Sequence, residues 1–113
     1  MKRISALVLC AALLAPGAAF AGWGAIAYNQ NTGASSESHG YGSLWAAERA
    51  ALGACGGGCR IMNWEHNTCI ALATNGAGAW GEAHGYPNGD AAIAAAVGYC
   101  GRPGCAWREW ACG

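Results

Sequence analysis

The chain has 113 residues, with six basic and six acidic side chains, 19 glycines, six tryptophans and seven cysteines. That length suits a single domain. The basic residues are few and dispersed, which argues against nucleic acid, whose phosphates demand a clustered cationic footprint, and against an anionic membrane surface.

Residues 1–21 predict a secretory signal peptide. Lys2 and Arg3 supply the positive start, residues 4–14 an apolar stretch ended by Pro16 and Gly17, and Ala19-Phe20-Ala21 a small-x-small cleavage pattern. The apolar stretch falls short of the roughly 20 residues that span a bilayer. Cys10 reads as a small apolar residue discarded with the leader. Cleavage after Ala21 leaves Arg49, Arg60, Arg102 and Arg108 against six carboxylates, and no lysine, a net charge of −2 with neutral histidines. The expected location is the periplasm or the extracellular space.

In chain order, a short strand over about 23–28 leads through an Asn/Gly-rich turn to a second strand over about 33–39, a hairpin pattern. Ser43 is a suitable N-cap for an alanine-rich helix over 45–52, and Gly56 suits its left-handed C-terminal cap. A third strand starts near Cys59 and carries Ile61, Met62 and Trp64, after which His66 falls in a solvent-facing turn. The same order then recurs. Strands are expected over 69–74 and 78–84, Asn88 as N-cap, a helix over 91–97, Gly101 as cap, and a strand from Cys105 with Trp107 and Trp110.

The recurrence is a duplication. Residues 33–41 match 78–86 at an offset of 45, with Glu37-Ser38-His39-Gly40-Tyr41 answered by Glu82-Ala83-His84-Gly85-Tyr86. Residues 25–29 match 71–75 at 46. Cys55 matches Cys100, and Cys59 matches Cys105. Two copies make an internal pseudo-twofold, with repeats at about 22–67 and 68–113, and not a solenoid. The expected fold is α+β, two tandem ββαβ repeats forming antiparallel sheet with two Ala-rich helices. Ala47, Ala50, Ala51 and Ala54 correspond to Ala92, Ala95, Ala96 and Tyr99, which suits close approach of helix to sheet. One sheet or two is left open by the pattern.

The six cysteines after the leader are an even set in a small exported chain, which reads as a disulfide framework. Alanine helices bury little area and glycines raise the entropy lost on folding, so the thin core calls for staples. Of 15 connectivities, the duplication favours Cys55–Cys59 and Cys100–Cys105, leaving Cys69–Cys112 to tie the copies together. Zinc knuckles at Cys-x3-Cys and Cys-x4-Cys are the competing reading. No Cys-x-x-Cys redox motif occurs.

The opening Trp23-Gly24-Ala25-Ile26-Ala27-Tyr28, the Ala-Ala-Glu-Arg-Ala-Ala-Leu helix at 46–52, the Ala54-Cys55-Gly56 helix end and the Cys59-Arg60 strand start together resemble the secreted bacterial family called domain of unknown function 4189. The resemblance covers residues 22–113. It implies export, a small cysteine-bearing domain and repeats, and carries no established chemistry. His39 and His84 stand where the family more often has an aromatic residue.

Three kinds of candidate site follow. Glu37-x-His39 and Glu82-x-His84 place a carboxylate and an imidazole on one face of a strand. If the two strands lie side by side, the four side chains form a His2Glu2 metal site. Otherwise they are two hydrogen-bonded pairs kept by duplication. Catalysis finds little support. Glu37 and Glu82 are a symmetric pair where glycosidic cleavage needs distinct acid and base, and no Gly-x-Ser-x-Gly occurs. The third kind is aromatic. Trp45 is matched by Asp90, and Trp80 by Ser35, so each ring is present in one copy only and is a better interface candidate than a ring kept for packing. Tyr41 and Tyr86 join them as candidate binding rings. The sequence therefore points to a non-catalytic exported binding protein without a cofactor, acting on another protein, for example as inhibitor or immunity factor for an envelope enzyme. A glycan- or peptidoglycan-binding module using the same rings, or a metal-binding protein, is the alternative.

Overall fold

A computed structural model describes residues 22–113. The expected leader, its expected cleavage site and Cys10 lie outside these residues. The elements are β1 (Trp23–Tyr28), β2 (Ser35–Tyr41), α1 (Leu44–Cys55), β3 (Arg60–His66), β4 (Cys69–Thr74), β5 (Trp80–Tyr86), α2 (Gly89–Cys100) and β6 (Ala106–Cys112). The ββαβ order occurs twice. β2 and β5 start two residues later than the sequence pattern places them, because the turns absorb more chain. Asn29 Oδ1 accepts from the N–H groups of Asn31 and Thr32 at 2.8 and 3.2 Å, and Asn75 Oδ1 from Ala77 and Ala79 at 2.8 and 3.0 Å.

The strands form two antiparallel three-stranded sheets, ordered β2-β1-β3 and β5-β4-β6. Side-chain alternation along the central strands sets the layers. Ala25 and Ala27 of β1 pack on Ala47 and Ala51 of α1, while Ile26 and Tyr28 face the other way and meet Ile70 and Leu72 of β4. Ala71 and Ala73 of β4 pack on Ala92 and Ala96 of α2. The result is helix–sheet–sheet–helix. β1 and β4 are buried on both faces, small residues toward the helices and large ones toward the opposite sheet. Ile26, Ile70 and Leu72 are fully buried, and each contributes on the order of 1.5–3 kcal/mol, so the layer between the sheets carries most of the apolar stabilisation.

The helices are attached by different chemistry in the two repeats. Ser36 and Ser38 donate their hydroxyls to the carbonyls of Ala51 and Ala47 at 2.5 and 2.7 Å. The matching positions hold Gly81 and Ala83, which have no hydroxyl. A Cβ at Gly81 would overlap the backbone of Ala96, Tyr99 and Cys100, so α2 rests directly on β5. The N-caps are as the sequence places them, with Ser43 accepting from Ala46 at 3.1 Å and Asn88 from Ala91 at 2.8 Å. Gly101 ends α2 in the left-handed region, whereas Gly56 has φ 101° with ψ −172° and leaves α1 in an extended turn.

The disulfides are Cys55–Cys59, Cys100–Cys105 and Cys69–Cys112, bridges rather than zinc knuckles. The expectation that Cys69–Cys112 ties the copies together is corrected. It joins neighbouring strands β4 and β6 inside the second repeat. In the first repeat the matching cross-strand pair is Trp23 and His66, whose rings stack at 4.0 Å with 6° between planes. The copies are held instead by the intersheet core and by polar links across it. Ser35 donates to Glu109 at 2.7 Å and Asn63 to Glu82 at 3.0 Å.

Replacing Cys69 and Cys112 by alanine removes a crosslink spanning 43 residues and should cost about 4 kcal/mol, against about 2 kcal/mol for Cys55 and Cys59, four residues apart; denaturant unfolding of the two variants compares them, and the reverse order would count against the loop-closure account. Gly81→Ala should destabilise by about 1–3 kcal/mol through overpacking. Gly98→Ala, in open space within α2, should stabilise by about 0.5–1 kcal/mol in the same assay.

Candidate functional site

Each Glu-x-His motif lies on an edge strand, and the alternation of the strand brings the two side chains together. His39 Nδ1 is 3.0 Å from Glu37 Oε1, and His84 Nδ1 is 3.2 Å from Glu82 Oε1. The two pairs do not meet. In the stacked sheets β2 lies over β6 and β5 over β3, so the pseudo-twofold puts β2 and β5 at opposite edges, not side by side. Among the described residues no three His, Cys, Asp or Glu side chains gather as metal ligands, and the four-ligand arrangement of Glu37, His39, Glu82 and His84 is not assembled.

The second pair is the more elaborated. Glu82 Oε1 also accepts from Asn63 Nδ2 of the facing sheet, and Asn63 donates to the Ala83 carbonyl at 3.1 Å as well. Glu82 is thereby held from two directions, and with a neutral ring the His84 Nδ1–H donates to it. Two hollows share Glu82 and His84. One, of about 590 Å3, runs between β3 and β5 and includes Met62, Asn63, Trp64 and His66. The other, of about 450 Å3, lies on the outer side of β5 and is lined by Trp80, Glu82, His84, Tyr86 and Tyr99. Close seating of α2 on Gly81 is what brings Tyr99 to this strand. The neighbouring Tyr99 side chain pushes the Tyr86 ionisation above the ordinary tyrosine range, with burial and then the Glu82 carboxylate acting in the same direction.

The other sequence candidates are dispersed. Trp45 stands at the start of α1, 69% exposed, with the Arg49 guanidinium 5.1 Å from its ring centroid. Tyr41 is exposed at the end of β2. Neither lines the hollows at β5, whereas Trp80 and Tyr86 do. Glu37 and His39 line a separate hollow with Asn88, Gly89 and Trp110. His66 ends β3, exposed and stacked on Trp23, instead of sitting in a turn. Sequence reasoning missed Tyr99, Asn63 and Trp64 as site residues. Tyr99 was accessible to the rule that singled out Trp80, since its match is Ala54. Asn63 had no such signal, because its role arises only when β3 faces β5.

One buried acid sits near the junction of the repeats. Glu65 is 2% exposed and accepts from the Thr68 N–H at 3.1 Å. It occupies space left by Gly24, where a Cβ would overlap its carboxylate; Ile70 and Ala111 hold the matching positions in the second repeat. Burial pushes the Glu65 carboxyl above its ordinary value of 4.5, opposed by the backbone N–H groups of Thr68 and Gly113 and by His39. A carboxyl raised in the folded state contributes stability that is complete below the unfolded pKa and is lost as pH rises through the folded one. Glu65→Gln should therefore flatten the decline in stability above pH 4.5 and raise the melting temperature at neutral pH relative to the parent. An unchanged pH profile would show that Glu65 is not its source.

Comparison with known proteins agrees with this architecture. The NMR structure of Rv1813c from Mycobacterium tuberculosis is similar, with a TM-score of 0.60 and 28% identity over 81% of this chain and 75% of that one. No curated protein matches the chain. Residues 23–112 match the family described as Domain of unknown function (DUF4189), and the chain belongs to that family.

Proposed function

We propose that the protein is a non-catalytic, exported binding domain whose partner is another protein, with inhibition of, or immunity to, an envelope-acting enzyme as the biological setting. The observation that carries this reading is the exposure of rings that only one repeat possesses. Trp45 is 69% exposed and Trp80 39%, while Asp90 and Ser35 hold the matching positions. The same backbone thus folds without either ring, and neither is spent on the core. Large exposed aromatics of this kind are the usual anchors of protein interfaces. Three disulfides suit an oxidising compartment, and among the described residues no helix is long and apolar enough to cross a membrane.

A glycan-binding reading is favoured by one feature, the hollow in which Trp80, Tyr86 and Tyr99 accompany the polar Glu82 and His84. Tryptophan fluorescence titrated with cell-wall fragments separates the two readings.

The oxidised protein, used as bait on envelope extract with a reduced and alkylated control, should retain one identifiable protein. Once that protein is purified, Trp45→Asp or Trp80→Ser should weaken the reconstituted 1:1 complex by about tenfold or more. Both substitutions insert the residue that the other repeat carries. A bait that retains nothing across growth conditions overturns the protein-binding reading; full affinity in both variants overturns the residue assignment.

A further inference from the structure

We propose that the hollow on the outer side of β5 is an aromatic cage for an organic cation, and that it takes the ammonium group of a lysine side chain on the partner. This rests on the protein-binding reading above and names the chemistry that β5 recognises. Three rings, Trp80, Tyr86 and Tyr99, line one hollow of about 450 Å3 together with the carboxylate of Glu82. The faces of aromatic rings carry negative electrostatic potential, and several rings beside one carboxylate make a site for an ammonium group. Among the described residues no arginine or lysine lines this hollow. Glu82 is positioned by the uncharged amide of Asn63 and by the exposed ring of His84.

The first repeat serves as an internal control. The positions matching Trp80, Glu82, His84, Tyr86 and Tyr99 are Ser35, Glu37, His39, Tyr41 and Ala54. Carboxylate, imidazole and one tyrosine persist, and two of the three rings are gone. The Ser35 hydroxyl is bonded to Glu109 instead. Packing does not explain the two added rings, because Trp80 is 39% and Tyr99 68% exposed. Both nevertheless converge on one hollow from different elements, brought there by Gly81. A domain with net charge −2 after its leader, and no lysine of its own, suits a basic partner. The cation arrives on a polypeptide because, among the described residues, β5 pairs with β4 alone and presents its other side as a strand edge, along which an extended segment lies while its side chain enters the cage.

The test is an NMR titration of the oxidised protein with N-acetyl-lysine methylamide, with the norleucine analogue as neutral isostere and with choline. The lysine probe should shift the ring resonances of Trp80, Tyr86 and Tyr99 at millimolar concentrations. It should bind at least about fivefold more tightly than norleucine, the gain expected from a cation at a partly exposed ring site. The Trp80→Ser/Tyr99→Ala variant, which reproduces the first repeat, should lose the response while the resonances of β1 and α1 stay in place, and Glu82→Gln should weaken it. Equal response to norleucine would reduce the hollow to a plain apolar surface and overturn the proposal, as would a full response in the double variant. Choline binding tenfold tighter than lysine would overturn the assignment to a partner's side chain in favour of a free quaternary ammonium compound. A captured protein partner with no lysine response in the titration would sink the cage and leave the protein-binding reading standing.

Discussion

Alternation of small and large side chains along β1 and β4 is the constraint from which the layers follow. Each central strand presents alanines on one face and Ile, Leu or Tyr on the other. Alanine faces let a helix approach the sheet closely but bury little area, so they cannot hold a layer by apolar burial alone. The large faces have to find each other, and they do so across the pseudo-twofold. Neither repeat is self-sufficient in this arrangement, because the bulky face of each sheet is covered only by the other copy. Disulfides at the ends of both helices then secure the layers that the alanine contacts hold weakly.

Divergence between the copies is concentrated where this scheme tolerates it. A covalent cross-strand link in one repeat corresponds to a Trp–His stack in the other. Two serine hydroxyls that attach α1 correspond to Gly81 and Ala83 under α2. The second difference has a functional consequence. Loss of the serine side chain lets α2 settle onto β5, and the end of that helix carries Tyr99 to the strand that bears Trp80 and Glu82. The pseudo-symmetric backbone thus supports a site on one side only, and asymmetry in small residues is what makes it.

The junction of the repeats follows the same logic of volume exchange. Gly24 and Glu65 in one sheet stand where Ile70 and Ala111 stand in the other, so a buried carboxyl fills the space that an isoleucine fills across the axis. This places an ionisable group where desolvation opposes its charge, partly offset by backbone N–H groups from the turn and the last residue described.

Much was legible in the amino-acid sequence. Duplication at a nearly constant offset, cap residues Ser43 and Asn88, the alanine helices and the three cysteine pairings are local or repeat-encoded features, and a chain pattern read in one dimension contains them. The pairing of each glutamate with the histidine two residues on is equally local, set by the period of a strand. Tertiary structure decided the rest: two stacked sheets instead of one, the Glu-x-His motifs at opposite edges, Asn63 on Glu82, and the convergence of Trp80 with Tyr99. Sequence determines which faces are small, large or polar. Which faces meet depends on the axis relating the copies, and that axis emerges only when two bulky sheet faces exclude water together.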